Sequence, residues 1–73
     1  MLLGTADARA VHINRADART IAQELDGISV NLAHRIVLHR QQYGPFQGAS
    51  ELIAVPYVGH AVVERNRDLI RYD

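Results

Sequence analysis

The chain carries two related five-residue stretches, Leu25-Asp26-Gly27-Ile28-Ser29 and Val55-Pro56-Tyr57-Val58-Gly59. Each combines apolar residues with glycine, and each is followed by a segment whose apolar residues recur at the spacing of one helical face. Glycine tolerates the left-handed conformation that ends many helices, and proline cannot continue a helix. Because the stretches lie thirty residues apart, the sequence predicts a duplicated helical hairpin whose two copies pack against each other.

The first stretch separates two predicted helices. Asn14 precedes Arg15-Ala16-Asp17 and is expected to cap the first helix, because its side-chain oxygen can accept a hydrogen bond from a free amide. The second helix is the longest, and Gly44-Pro45 ends it. The predicted apolar faces consist of Ala18, Ile21, Ala22 and Leu25 in the first helix, and of Leu32, Ala33, Ile36, Val37 and Tyr43 in the second.

The second stretch separates a brief helix from the last one. Ser50 is the predicted cap of the brief helix, which Val55-Pro56 ends. Asn66 interrupts the apolar stripe of the last helix; we expect a buried amide bonded to backbone or water, and the alternative is an exposed contact surface. No alternation of apolar and polar residues predicts a strand. The last helix starts near His60 and is expected to bury Val62, Val63, Leu69 and Ile70.

Composition limits the classes of function. Eight arginines balance eight carboxylates, so the net charge offers no long-range attraction for nucleic acid, and any anion site must be local. The absence of cysteine excludes disulfides, thiolate nucleophiles and sulfur metal ligands. No run approaches the roughly 18 apolar residues of a membrane helix, so we expect no membrane segment in this chain. The compartment stays unknown, with the cytoplasm as the default.

An ordered series of motifs carries a family likeness: Ile13-Asn14, Leu25-Asp26-Gly27-Ile28, Ala33-His34-Arg35-Ile36, Tyr43-Gly44-Pro45-Phe46, Val55-Pro56-Tyr57-Val58-Gly59 and Leu69-Ile70. The series resembles the tandem helix-hairpin-helix domain of the ComEA family of competence proteins. The resemblance implies an all-α fold of four to five short helices, in which two helix-hairpin-helix motifs are related by an approximate two-fold axis. We expect residues 1–11 to form a flexible arm and residues 12–73 to form the domain.

The resemblance also implies DNA binding without sequence preference. A glycine-containing turn that leads into a helix exposes main-chain N–H groups to an anion, and phosphate contacts of this kind carry no base information. Binding of this kind should be weak and strongly salt-dependent. Transferred by position, the phosphate contacts are Gly27, Ile28, Ser29, Asn31 and Arg35 at the first turn and Val58, Gly59 and His60 at the second, with Arg40 and Arg65 as flanking charges.

Both turns depart from the family pattern, which runs apolar-proline-glycine-isoleucine-glycine and then lysine two residues later. The first turn has Asp26 for proline, Ser29 for the second glycine and Asn31 for lysine. The second turn has Tyr57 for the first glycine and Ala61 for lysine. Asp26 brings a negative charge to the proposed phosphate site. Contact of Tyr57 with a DNA sugar or phosphate is one interpretation; its bulk favours packing in a surface groove or against a protein.

Two interpretations of function therefore stay open. The segment between Gly27 and Ser50 contains arginine and histidine but no acidic residue, which favours DNA. The substituted turns and the zero net charge favour a degenerate hairpin domain that serves as a protein-interaction or structural module. Both alternatives agree with a chain that needs no cofactor.

Catalytic and metal sites are not expected. The four histidines include no pair at positions i and i+4, and we expect His34 and His39 at the surface. Ser29 and Ser50 lack the sequence signature of a nucleophile and are assigned to turn and cap, so an enzyme is not predicted. Tyr43 and Phe46 are expected to pack, since stacking on nucleic-acid bases needs exposed rings beside a basic groove.

Overall fold

The computed structural model of the chain describes residues 9–73, so residues 1–8 of the predicted arm lie outside the described residues. The elements in chain order are β1 (Val11–His12), α1 (Ala18–Glu24), α2 (Val30–Tyr43), α3 (Ala49–Ile53), α4 (His60–Arg65) and β2 (Ile70–Arg71). Helices α1 and α2 pack as the first hairpin and α3 and α4 as the second. The predicted all-α class with two helical hairpins is confirmed.

Two very short strands join the ends of the described chain, and the sequence did not predict them. β1 and β2 pair in parallel, with Val11 opposite Ile70 and His12 opposite Arg71. The expectation of a last helix through Ile70 is wrong, because α4 ends at Arg65 and the chain turns into β2. Val11, which ends the predicted arm, is buried in the core.

Asp17 and not Asn14 caps α1, so that prediction is wrong. The Asp17 carboxylate accepts a hydrogen bond from the Thr20 N–H at 2.8 Å. Bonds from the backbone and side chain of Thr20 lower the pKa of Asp17 below its usual value. Asn14 instead joins distant segments: its side chain accepts from the Phe46 N–H at 2.7 Å and donates to the carbonyls of Phe46 and Tyr72 at 2.9 and 3.0 Å.

At the ends of α2 and α3, one prediction is confirmed and another is wrong. Ser29, which was expected only in the turn, caps α2 by accepting from the Leu32 N–H at 3.1 Å, whereas Gly44 ends α2 with a φ of 96°, as predicted. Ser50 does not cap α3, because the helix begins one residue earlier, with Gly48 at the cap position. Glu51 accepts from the Gln47 N–H at 2.8 Å and so satisfies a donor at that helix start.

One apolar core lies between the hairpins and the paired strands. Tyr43 was expected in it but is 69% exposed, whereas Phe46 is buried. His39, expected at the surface, is half-buried, with its ring stacked on Phe46 at 5.3 Å between ring centroids. The buried apolar residues are Val11, Ile13, Ala18, Ile21, Leu25, Ile28, Ala33, Ile36, Phe46, Leu52, Val55, Val58, Val63 and Ile70.

The two turns and the helix starts that follow them have the same burial pattern. Residues 25–36 and 55–66 show the same order of buried, half-buried and exposed positions, thirty residues apart. Gly27 and Tyr57 occupy equivalent positions and both have left-handed backbone, with φ of 85° and 74°. We call residues 25–29 the first turn and residues 55–59 the second turn.

Candidate functional site

The first turn presents main-chain N–H groups at the start of the longest helix. Within residues 9–73, no acceptor is bonded to the N–H groups of Gly27, Ser29, Val30 or Asn31. The next amide, that of Leu32, is satisfied by the Ser29 hydroxyl. Free amides at a helix start carry partial positive charge, so this segment can accept an anion.

Two anchors hold the first turn in place. Leu25 and Ile28 are buried on either side of it. The Asn66 side chain accepts from the Asp26 N–H and donates to the Asp26 carbonyl, both at 2.9 Å, and it also donates to the Val62 carbonyl at 2.8 Å. Asn66 is 2% exposed, which confirms the predicted buried amide. The end of α4 thus fixes the backbone just before the free amides.

The Asp26 carboxylate is exposed and faces Arg65. Its Oδ2 lies 3.4 Å from Arg65 Nη1. A Cβ atom built on Gly27 would lie 2.9 Å from the same Nη1 and 3.1 Å from Val62 Cγ2, so Arg65 passes close over the first turn. The negative charge that the sequence places at this turn therefore has a neighbouring positive charge, although the exposed pair contributes little to stability.

An open groove of about 660 Å³ runs beside the first turn. Residues 22–29 line it, from the second half of α1 to the cap of α2.

The second turn differs from the first in one of its amides. The Val58 N–H donates to the Val55 carbonyl at 3.0 Å, so this predicted phosphate contact is already satisfied inside the protein. Gly59 and His60 are exposed, and within residues 9–73 the N–H groups of Tyr57, Gly59, His60 and Ala61 have no bonded acceptor, like those of their equivalents in the first turn. Val58 itself is buried, like its equivalent Ile28.

Tyr57 projects from the second turn into solvent. It is 80% exposed, so it does not fill a surface groove as expected, and the alternative of a contact with a protein stays a prediction. The Arg35 guanidinium carbon lies 5.0 Å from the centroid of the Tyr57 ring, within the range of a cation–π contact. Ser29, Asn31 and Leu32 line a concavity together with these two residues, so the second turn lies next to the start of α2.

Arg40 has a role in the fold. Its Nη1 donates to the carbonyls of Ile13 at 2.8 Å and of Ala16 at 2.6 Å. The guanidinium thereby satisfies backbone acceptors of the segment between β1 and α1. We therefore leave Arg40 out of the proposed contact surface.

The structure thus brings most of the predicted site residues to two neighbouring turns. Arg65 lies at the first turn, and Arg35 contacts the second. In the sequence, Asn66 stands out as a break in an apolar stripe. No local pattern indicates that its hydrogen-bond partner is Asp26. Neither the exposure of Tyr57 nor the position of Arg65 had a sequence signal.

The described residues were also compared with the requirements of a metal site and of a membrane-spanning helix. Between residues 9 and 73, no three His, Cys, Asp or Glu side chains cluster in a way that could hold a metal ion. No helix in that part of the chain has the length and apolarity needed to cross a membrane.

Fold and turns together define a small domain of two helical hairpins with exposed turns. The family model for the helix-hairpin-helix motif matches residues 6–71, and the chain belongs to that family.

A relative from Haemophilus influenzae, named only "Uncharacterized protein", is 40% identical over 60 residues. The matched region covers 82% of this chain and 54% of the relative. The chain therefore spans about half the length of that relative.

Proposed function

We propose that the chain binds duplex DNA through the sugar–phosphate backbone, without sequence preference, with the first turn as the main contact. The helix-hairpin-helix motif is generally associated with DNA binding of this kind. The observation that carries the proposal for this chain is the set of free amides at Gly27, Ser29, Val30 and Asn31. Hydrogen bonds from main-chain amides to phosphate fix position on the duplex and read no base.

The charges around the first turn support this proposal. No acidic residue occurs from Ile28 to Ser50, so α2 is free of negative side chains. The acidic residue of the first turn is Asp26, and its carboxylate faces Arg65. At the second turn, Gly59 and His60 are exposed, but α4 carries Glu64, so we rank this turn as the secondary contact. Because few phosphates are neutralised, binding should be weak, and each phosphate contact should add about 0.9 to the slope by which log affinity falls with log salt.

We also propose that, within the helix-hairpin-helix family, this chain is related to the ComEA family of competence proteins. It is supported by the motif series from Ile13 to Ile70, which follows the order of that family's tandem domain. The substitutions at Asp26, Ser29 and Tyr57 set this chain apart from the family pattern.

Fluorescence anisotropy with short duplexes of two unrelated sequences tests the proposal. We expect saturable binding at 50 mM salt, similar affinity for both sequences, and much weaker binding at 200 mM salt. No saturable binding at high micromolar protein and low salt would contradict the proposal.

A pair of matched variants tests the ranking of the turns. Asn31 and Ala61 are equivalent exposed positions in the first turn of α2 and of α4. A glutamate at either position suits the helix dipole, so Asn31→Glu and Ala61→Glu should fold normally while repelling phosphate. We expect Asn31→Glu to lose more affinity than Ala61→Glu. Gln41→Glu, near the other end of α2, controls for the charge change alone.

A second candidate function is a protein-interaction module, and one observation favours it. Leu38 and Tyr43 are 62% and 69% exposed, and they line a groove of about 390 Å³ between α2 and residues 54–56. Exposed apolar side chains beside a groove are typical of interaction surfaces. The same anisotropy experiment distinguishes the two functions, because a protein-interaction module without a DNA site should show no salt-dependent DNA binding.

A further inference from the structure

Two arginines at equivalent positions each reach the turn of the other repeat. Arg35 follows the first turn and Arg65 follows the second, thirty residues later. Arg65 Nη1 lies 3.4 Å from Asp26 Oδ2 at the first turn. The Arg35 guanidinium carbon lies 5.0 Å from the ring centroid of Tyr57 at the second turn. The contacts are therefore exchanged between the repeats.

The positions that receive the arginines are equivalent as well. Gly27 and Tyr57 both have left-handed backbone, and a Cβ on Gly27 would touch Arg65. A tyrosine rarely adopts this conformation, and strain of this kind concentrates at functional sites. The Tyr57 ring is exposed, so packing in the core does not explain its presence. Its contact in the described structure is with Arg35.

We propose that the arginines are exchanged in function too, so that each turn contacts DNA phosphate with the help of the arginine from the other repeat. Arg65 then supplements the free amides of the first turn, and Arg35 supplies the positive charge of the second. This inference rests on the proposed DNA binding and specifies which side chain serves which turn.

The chemistry of the two contacts differs. A guanidinium over an aromatic ring keeps its N–H donors for phosphate, and within residues 9–73 Arg35 makes no hydrogen bond or ion pair. Tyr57 is thus a positioning residue that holds Arg35 at the second turn. Arg65 shares its charge with Asp26, which competes with phosphate for the same guanidinium. Asp26 therefore weakens the first contact, and Tyr57 strengthens the second.

Double-mutant cycles, read by DNA anisotropy on the whole chain, test the exchange. We expect Arg35→Gln and Arg65→Gln each to reduce the slope of log affinity against log salt by about 0.9, the value for one lost phosphate contact. Asp26→Asn should raise affinity about twofold, and by clearly less in the Arg65→Gln background, where only the repulsion between Asp26 and phosphate is relieved. Tyr57→Gly should lower affinity about threefold, and only where Arg35 is present. The crossed pairs, Asp26→Asn with Arg35→Gln and Tyr57→Gly with Arg65→Gln, should combine additively.

Three controls keep the result interpretable. Tyr57→Phe retains the ring and should bind like the wild type. Tyr57→Gly should melt no lower than the wild type, since glycine suits a φ of 74°. Arg67 is exposed and paired with Glu64 at 2.9 Å, so Arg67→Gln measures the effect of losing one positive charge elsewhere. It should couple to neither Asp26 nor Tyr57.

The outcomes separate the exchange from DNA binding itself. Coupling of Asp26 to Arg35 and of Tyr57 to Arg65 would overturn the exchange in favour of arginines that serve their own turns. Additive effects in all four cycles would overturn it as well, while leaving DNA binding in place. A wild-type chain that fails to bind DNA would overturn both proposals.

Discussion

Residues 25–36 and 55–66 share their pattern of burial yet differ at the positions that face solvent. Asp26 is matched by Pro56, Gly27 by Tyr57, and Ser29 by Gly59. The buried residues of the two repeats are interchangeable in kind, since Leu25 corresponds to Val55 and Ile28 to Val58. A short pattern of buried positions therefore suffices to form the hairpin. The exposed positions of each copy can then diverge towards different contacts.

One buried position breaks this rule. Ile36 in the first repeat corresponds to Asn66 in the second, and both are buried. The amide of Asn66 bonds to both backbone groups of Asp26, whereas Ile36 packs in the apolar core. The second repeat therefore supports the turn of the first, and the domain is asymmetric at its centre.

The largest effect on stability is expected at this pair. Asn66→Leu keeps a similar volume but leaves the Asp26 N–H without its partner, so we expect a loss of about 2 kcal/mol in the free energy of unfolding. Ile36→Leu, the matched control, should cost about 1 kcal/mol or less. Urea denaturation measures both values. An Asn66→Leu domain as stable as the wild type would show that the amide bonds do not stabilise the first turn.

The next largest effect on stability is expected at Arg40 of α2, and Arg35 of the same helix is its matched control. Arg40→Gln removes a charged donor from the Ile13 and Ala16 carbonyls, so we expect a loss of about 1.5 kcal/mol in the free energy of unfolding. Arg35→Gln should leave stability nearly unchanged, because its side chain is exposed. Thermal unfolding measures the difference. DNA affinity should fall no further in Arg40→Gln than in Arg67→Gln, and a larger fall would return Arg40 to the contact surface.

Substitutions at the two positions with left-handed backbone, Gly27 and Tyr57, are expected to change stability in opposite directions. Gly27→Ala should destabilise the domain by about 1 kcal/mol, because alanine is strained at a φ of 85° and its Cβ meets Arg65 and Val62. Tyr57→Gly relieves the corresponding strain and should be neutral or stabilising by up to about 1 kcal/mol. Melting temperatures test the pair. Equal destabilisation by both substitutions would mean that Tyr57 contributes packing that its exposure does not reveal.

The smallest effect concerns the helices that begin the two hairpins. Asp17 caps α1 with a carboxylate, whereas the cap residue of α3 is Gly48, which makes no side-chain cap bond. Because the folded-state pKa of Asp17 is lowered, its contribution is complete above its usual pKa of 3.8 and is lost as the pH falls through the folded value. Asp17→Ala should therefore lower the melting temperature slightly at pH 7 and hardly at all near pH 2.

The control for this prediction is a second carboxylate. The bond from His12 lowers the pKa of Asp73, so part of the acid sensitivity should survive in Asp17→Ala. A variant with the full acid sensitivity of the wild type would contradict the assignment of the cap to Asp17.

Local patterns made much of the fold predictable. The turns at Gly27 and Gly44 and the burial of Asn66 each follow from residues within a few positions of one another. The assignment of the first cap to Asn14 was wrong because Asn14 and Asp17 are both good caps three residues apart. Sequence alone does not show that Asn14 is held by Phe46 and Tyr72.

Long-range contacts account for what the sequence could not predict. β1 and β2 have two residues each and lie about sixty residues apart, so no alternating pattern could reveal them. The placement of Arg65 over the first turn and of Arg35 over Tyr57 depends on how the hairpins pack, which no local pattern shows. Tyr43 continues the apolar spacing of α2 and yet is exposed, so periodicity alone does not show where the buried face of that helix ends.

A titration of ¹⁵N-labelled protein with an arbitrary short duplex, followed by amide NMR shifts, tests whether the first turn binds DNA phosphate. We expect the largest shifts at Gly27, Ser29, Val30 and Asn31, smaller shifts at Gly59 and His60, and reversal of all of them on addition of salt. Shifts confined to the groove around Leu38 and Tyr43, or an unchanged spectrum at low salt, would contradict DNA binding by the first turn.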